Sequence, residues 1–159
     1  RQAESASAAG GRARFVSVQN RYSLLHREPE ENGVLDECER RGLAFLPFFP
    51  LESGLLTGKV RRGQPVPAGS RLTEERYSGR FLDDRRVETV EDLIAWAGGS
   101  GHTVLELAFA WLLARRPVAS VIAGATKPAQ VRANVAAASA WRLSDDDLAE
   151  VDAVMLRTA

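Results

Sequence analysis

A short apolar run, then a polar turn, then an amphipathic stretch recur in that order along the chain, and this alternation constrains the fold more than any other feature. The runs are RFVSVQN (14–20), LAFLPFF (43–49) and VASVIAG (118–124), each rich in β-branched or aromatic residues and bounded by breakers. Strands separated by helical stretches lie parallel, joined by crossovers that cover the sheet with helices. The class is therefore α/β. Counting strands leaves a closed barrel and an open sheet equally open.

The helical stretches carry their own start and stop signals. TVLELAFAWLLARR opens on Thr103 with Glu106 three residues on, a capping box, and is expected to present Leu105, Ala108, Phe109, Leu112 and Leu113 on one face. Arg115 and Arg116 fall in its expected last turn, where the dipole favours cations, and Pro117 stops it. PAQVRANVAAAS is expected to start from Thr126 as N-cap with Pro128 in the first turn. SDDDLAEVDAVML opens on Ser144 and aspartates and is expected to put Leu148, Val151 and Met155 on a common face. Residues 59–80, with prolines, glycines and no apolar period, read as a long arginine-rich loop of the kind that covers a ligand. GGSG (98–101) joins two helices and reads as a linker.

At 159 residues the chain is expected to form one domain, 1–159, able to bury roughly 70% of its unfolded surface. Lys plus Arg and Asp plus Glu both total 21, so no long-range field draws in nucleic acid or an anionic membrane. Cys38 is the single cysteine and there are two histidines, which argues against a disulfide or a zinc site. No apolar segment is long enough to span a bilayer, and a cytoplasmic location is the expectation. His26, Cys38 and His102 fall in no catalytic motif and are expected to be structural or surface residues, and the pairs Arg61-Arg62 and Arg85-Arg86 are assigned no role.

In α/β proteins ligands sit at the C-terminal strand ends. Here those ends supply Gln19, an amide, then Phe48, an aromatic slab, and the turn from Gly124 into a helix N-terminus. A flat heteroaromatic with a carboxamide and a distal phosphate would use all three. Each residue also has a plain structural account: Gln19 as an edge polar group, Phe48 as core, Lys59, Arg71 and Lys127 as surface charge, Gln130 and Asn134 as a solvated helix face at i, i+4.

FVSVQNRYSLLHR, FFPLESGLLTGK, VIAGATKPAQVRANVAA and LSDDDLAEVDAV, in this order and spacing, resemble the C-terminal half of the aldo-keto reductases. The resemblance implies a partial (β/α)8 TIM barrel, with the three parallel strands corresponding to the sixth to eighth. It implies NADPH-dependent reduction of aldehydes or ketones, with a small carbonyl compound as substrate. By resemblance, Gln19 would bond the nicotinamide carboxamide and Phe48 would stack on its ring. Leu51, Ser53 and Gly54 would line the pyrophosphate, with Lys59 reaching it. Ser70 and Arg71 match the cofactor-covering segment, and Gly124, Thr126, Lys127, Gln130 and Asn134 the adenosine and 2′-phosphate site.

Two positions depart from the family pattern. Phe49 stands where serine is common and Glu52 where glycine is usual, and a carboxylate beside a pyrophosphate is unfavourable unless it points away. The family's catalytic Asp, Tyr, Lys and His lie on early strands, so no catalytic residue is assigned here and this chain alone is expected to be inactive. A second expectation, from a different class, is a non-catalytic half-barrel that persists by association with a partner or a copy of itself through exposed strand edges.

Overall fold

The structure, a computed structural model, describes residues 2–157. A helix α1 (Gln2–Ala9) precedes strand β1 (Ser17–Arg21), and helices α2 (Glu28–Glu31) and α3 (Val34–Arg41) lead to β2 (Ala44–Phe48). After a 3₁₀ segment (Glu52–Thr57) and a long connection come a 3₁₀ turn (Arg71–Thr73), α4 (Glu75–Phe81), α5 (Asp84–Gly99) and α6 (Val104–Leu113). The chain returns to the sheet at Val118 and ends on α7 (Pro128–Ala140) and α8 (Asp145–Arg157).

β1 and β2 pair in parallel, with Ser17 opposite Ala44 and Arg21 opposite Phe48. The third expected strand joins β2 only at two parallel bridges, Phe45 with Val118 and Phe48 with Ile122. Proline explains the interruption. Phe45 bonds this segment through both its groups, donating to the Pro117 carbonyl at 2.7 Å and accepting from the Ala119 amide at 3.1 Å. The next inward donor would be residue 47, and Pro47 has no N–H. The neighbour slips by one residue there, so that Ile122 instead of Val121 donates to the Pro47 carbonyl at 2.9 Å.

The core lies on the helix-covered side of the sheet. Phe45, Tyr22 and Trp111 are fully buried, with Tyr22 edge-on to Phe45 at 5.7 Å and 5.1 Å from Trp111. α6 is buried at Val104 and from Leu107 through Leu112, nearly all round. The expected single stripe is thus too narrow: it omitted Leu107 and Trp111 and included Leu113, which is 42% exposed. α6 also ends before its arginines. Ala114 caps it, and Arg115 folds back over the Trp111 ring at 4.4 Å.

Other boundaries moved for local reasons. Residues 59–70 are irregular as expected, but 71–81 are not. Ser70 Oγ accepts from the Leu72 amide and starts the 3₁₀ turn, and Tyr77 and Phe81, four apart, form the inner face of α4 against Phe49. α7 is capped at Lys127 instead of Thr126. The linker expectation holds for Ser100 and Gly101 only, since α5 runs through Gly98 and Gly99 and the chain turns at Gly101, φ 77°, into α6.

The capping box at α6 forms in full. Thr103 Oγ1 accepts from the Glu106 amide at 3.2 Å and Glu106 Oε2 accepts from the Thr103 amide at 2.7 Å. That backbone hydrogen bond is the main cause of the Glu106 carboxyl lying below its ordinary 4.5. Thr103→Ala is expected to cost about 1 kcal/mol in urea denaturation at pH 7. Because the folded acidity is the stronger, the stability from the Glu106 carboxylate is present above pH 4.5 and is lost as the pH falls below it. Thr103→Ala keeps the backbone donor that is its main cause, so most of this loss in acid should appear in wild type and variant alike.

Candidate functional site

The site is built on the backbone beyond Phe48. Phe49 (φ 54°), Glu52 (φ 47°) and Ser53 (φ 58°) are non-glycine residues in the left-handed region, and Gly54 follows at φ 107°. Such conformations are unfavourable for L-residues and persist only where the surroundings hold them. At Gly54 it is the φ of 107° that demands glycine, and the space where a Cβ would stand is open, with nothing within 4 Å. That open space belongs to the cleft.

What holds the turn is Glu52. Its side chain is fully buried and points away from the cleft, so the carboxylate expected to oppose a phosphate does not face one. Arg21, at the tip of β1, donates to Oε2 at 2.5 Å, Arg86, from α5, donates to the same oxygen at 3.0 Å, and Ser23 Oγ donates to Oε1 at 2.7 Å. Arg86 also donates to the Leu25 carbonyl at 2.9 Å. Arg86, expected to have no role, is a principal tie between α5 and both strand tips.

A cleft of about 900 Å³ opens between this turn, the 67–74 segment, the start of α6, the end of the 118–124 segment and α7. It gathers Phe48, Leu51, Ser53, Gly54, Lys59, Ser70, Arg71, Gly124, Thr126, Lys127, Gln130 and Asn134. Of the expected residues only Gln19 lies outside. It is exposed on β1 opposite Leu46, and strand alternation puts it on the same sheet face as Phe48, one pleat below the cleft. Its expected contact therefore needs a ligand that reaches below the strand tips.

The lining is chemically suited to an elongated anion with an aromatic end. Lys59, Arg71 and Lys127 border the cleft and have no acidic partner among the described residues, although Glu74 also lies on its rim. Arg71 reaches across the opening, its terminal nitrogens 3.8 Å from where a Gly124 Cβ would stand. Ser53 Oγ is buried without any hydrogen-bond partner, a cost that a ligand acceptor would remove. Gln130 already serves the fold, because its side-chain oxygen accepts from the amides of Thr126 at 2.8 Å and Lys127 at 3.0 Å and so caps α7. Asn134, one turn on, makes no such bond and is half-buried.

The residues missed by sequence reasoning are Arg21, Ser23, Arg86 and Leu105. Nothing in the sequence links positions 21, 52 and 86. The one available signal was Glu52 itself, a carboxylate among small and apolar residues that has to find cations. Leu105, assigned to the core stripe, instead lines the cleft.

Parallel strands backed by helices, with a strained strand-tip turn facing a cation-rimmed cleft, define a β/α protein whose cleft lies at the C-terminal strand ends. A model of the aldo/keto reductase family matches residues 1–155, and the chain belongs to that family. It is 32% identical over 136 residues to L-glyceraldehyde 3-phosphate reductase of Escherichia coli K12, covering 82% of this chain and 39% of that protein. It is 34% identical over 143 residues to the NADH-specific methylglyoxal reductase of the same organism, covering 88% and 40%. The glycerol dehydrogenase structure from Gluconobacter oxydans superposes with a TM-score of 0.77 at 25% identity, covering 94% of this chain and 45% of that one. The fold is thus part of a (β/α)8 barrel, and the chain spans about two-fifths of the length of the curated relatives.

Removing one guanidinium from the buried carboxylate should be costly. Arg86→Ala is expected to lower unfolding free energy by about 3 kcal/mol. Arg132→Ala, at an exposed arginine on α7, is the control, and urea denaturation of both reads the difference.

Proposed function

We propose that the chain is the cofactor-holding part of an NADP-dependent aldo-keto reductase that reduces aldehydes or ketones, corresponding to the C-terminal half of the barrel. The observation that carries the reading is the single cleft that collects the strand-tip turn, the covering segment and the head of α7, with unpaired cations and an orphaned serine hydroxyl along it. The names of the two similar reductases support a carbonyl substrate class.

The dinucleotide supplies the hydride, and this chain's residues bind and orient it. Phe48, at the end of β2, offers the nicotinamide a flat apolar wall, and Ser53 Oγ and Gly54 give the pyrophosphate a hydroxyl donor and room for close approach. Lys59 and Arg71 add charge from the covering segment, which also keeps water from the phosphates. Thr126, Lys127 and Asn134 stand at the adenosine end, where Lys127 suits a 2′-phosphate. Gln130 contributes through the cap it already makes, and Gln19 is left to a carboxamide reaching down the sheet face. A proton must reach the developing alkoxide, and the residues of this cleft include no neutral acid suited to it. That group belongs to the remainder of the barrel.

A second reading, in which the chain acts through association, has its own observation. Ile122, Val131 and Val135 are exposed, and among the described residues β1 is paired on one side only. Among the described residues no helix is long and apolar enough to cross a membrane, and a cytoplasmic location accords with the reductase reading.

Titration with NADPH, followed by cofactor fluorescence, should give saturable binding, and Arg71→Ala and Lys127→Ala should each weaken it about three- to tenfold. Lys127→Ala should also narrow any preference over NADH. Carbonyl-dependent NADPH oxidation should be seen with the intact barrel and not with this chain alone. Turnover by the chain as a monomer, checked by light scattering, would overturn the division of labour, and a self-associated species without cofactor binding would favour the second reading.

A further inference from the structure

Glu52 is the least expected residue of the site, and its surroundings are the most specific in the molecule. A fully buried carboxylate at the tip of β2 meets the tip of β1 through Arg21 and Ser23 and the first turn of α5 through Arg86. Arg21 is itself stacked on Phe81 at the end of α4, 4.8 Å from the ring centre. The exposed Asp83 lies 3.8 Å from Arg86, so the buried group is a carboxylate faced by two guanidiniums with one further, solvated acid at its edge.

We propose that Glu52 is a positioning residue for cofactor binding, anchoring the turn so that Ser53 and Gly54 are presented to the dinucleotide phosphates before it arrives. This rests on the cofactor reading above. Two features support it. The anchor and its neighbour, Glu52 at φ 47° and Ser53 at φ 58°, are two of the three described non-glycine residues at positive φ, conformations that need to be held by their surroundings. The hydroxyl left without a partner belongs to Ser53, next to the anchor, so the turn is held in a form that is incomplete by itself. Because the carboxylate faces away from the cleft, it does so without repelling an anion there.

The test uses the intact protein that carries this chain, with Glu52→Gln, which keeps the shape and removes the charge, and Ser23→Ala, which removes one donor to the same carboxylate. Two probes are titrated: NADPH, which spans the turn, and adenosine 2′,5′-bisphosphate, which reaches only the end near Lys127. Glu52→Gln should raise the NADPH Kd about tenfold and Ser23→Ala about threefold, while both leave the bisphosphate Kd within about twofold of wild type. A purely structural role would weaken both probes alike, and that result, like unchanged NADPH binding in both variants, would overturn the proposal. Should Glu52→Gln fail to fold by circular dichroism, Ser23→Ala decides alone. Wild-type protein that binds no NADPH would overturn the cofactor reading itself, whereas wild-type binding with unaltered variants would overturn only the anchoring role.

Discussion

The geometry of the cleft depends on a buried ion cluster. Two arginines and a serine, from β1, the residues just after it and α5, converge on the Glu52 carboxylate and fix a turn whose dihedrals are unfavourable by themselves. A buried carboxylate carries a large desolvation cost, and hydrogen bonds from fixed guanidiniums are what make it tolerable. The benefit is one of direction, since the cluster decides which way the chain leaves β2 and so where Ser53 and Gly54 stand. Packing alone could bury an apolar residue there, but it would not select among turn conformations so narrowly.

The same division, local rules against long-range partners, separates what the sequence disclosed from what it hid. The α6 start was legible because Thr103 and Glu106 lie within one turn of each other and satisfy each other. Strand positions at 14–20 and 43–49 came within a few residues of Ser17–Arg21 and Ala44–Phe48 because apolar runs bounded by breakers are local signals. The third run misled in one respect: its composition suits a strand, yet its ladder depends on the neighbour, and Pro47 withholds the donor that a regular ladder needs. α4 was hidden because its inner face is only Tyr77 and Phe81, too short a pattern to stand out from a polar segment.

For the site, the strand-end rule brought Phe48 and the Gly124 turn to one cleft and the family resemblance supplied the other residues that line it, whereas the placement of Gln19 below the cleft followed neither. A strand end is uncertain by one or two residues, and one pleat is enough to move a side chain out of reach. Gln130 shows a different limit. At a helix head, a ligand contact and an N-cap call for the same kind of side chain, so residue type cannot separate them. Arg86 was invisible because its partner is far away in sequence.

The slip at Pro47 also makes the sheet mechanically unequal on its two sides. β1 is laced to β2 along the whole of both strands, whereas the 118–124 segment is pinned at Phe45 and again beside Pro47, with slack between. Gly124, Thr126 and Lys127 ride on that looser side, and the anchored Ser53 turn on the tighter one. The cleft thus has one wall tied to the sheet by a full ladder and an opposite wall tied at two points.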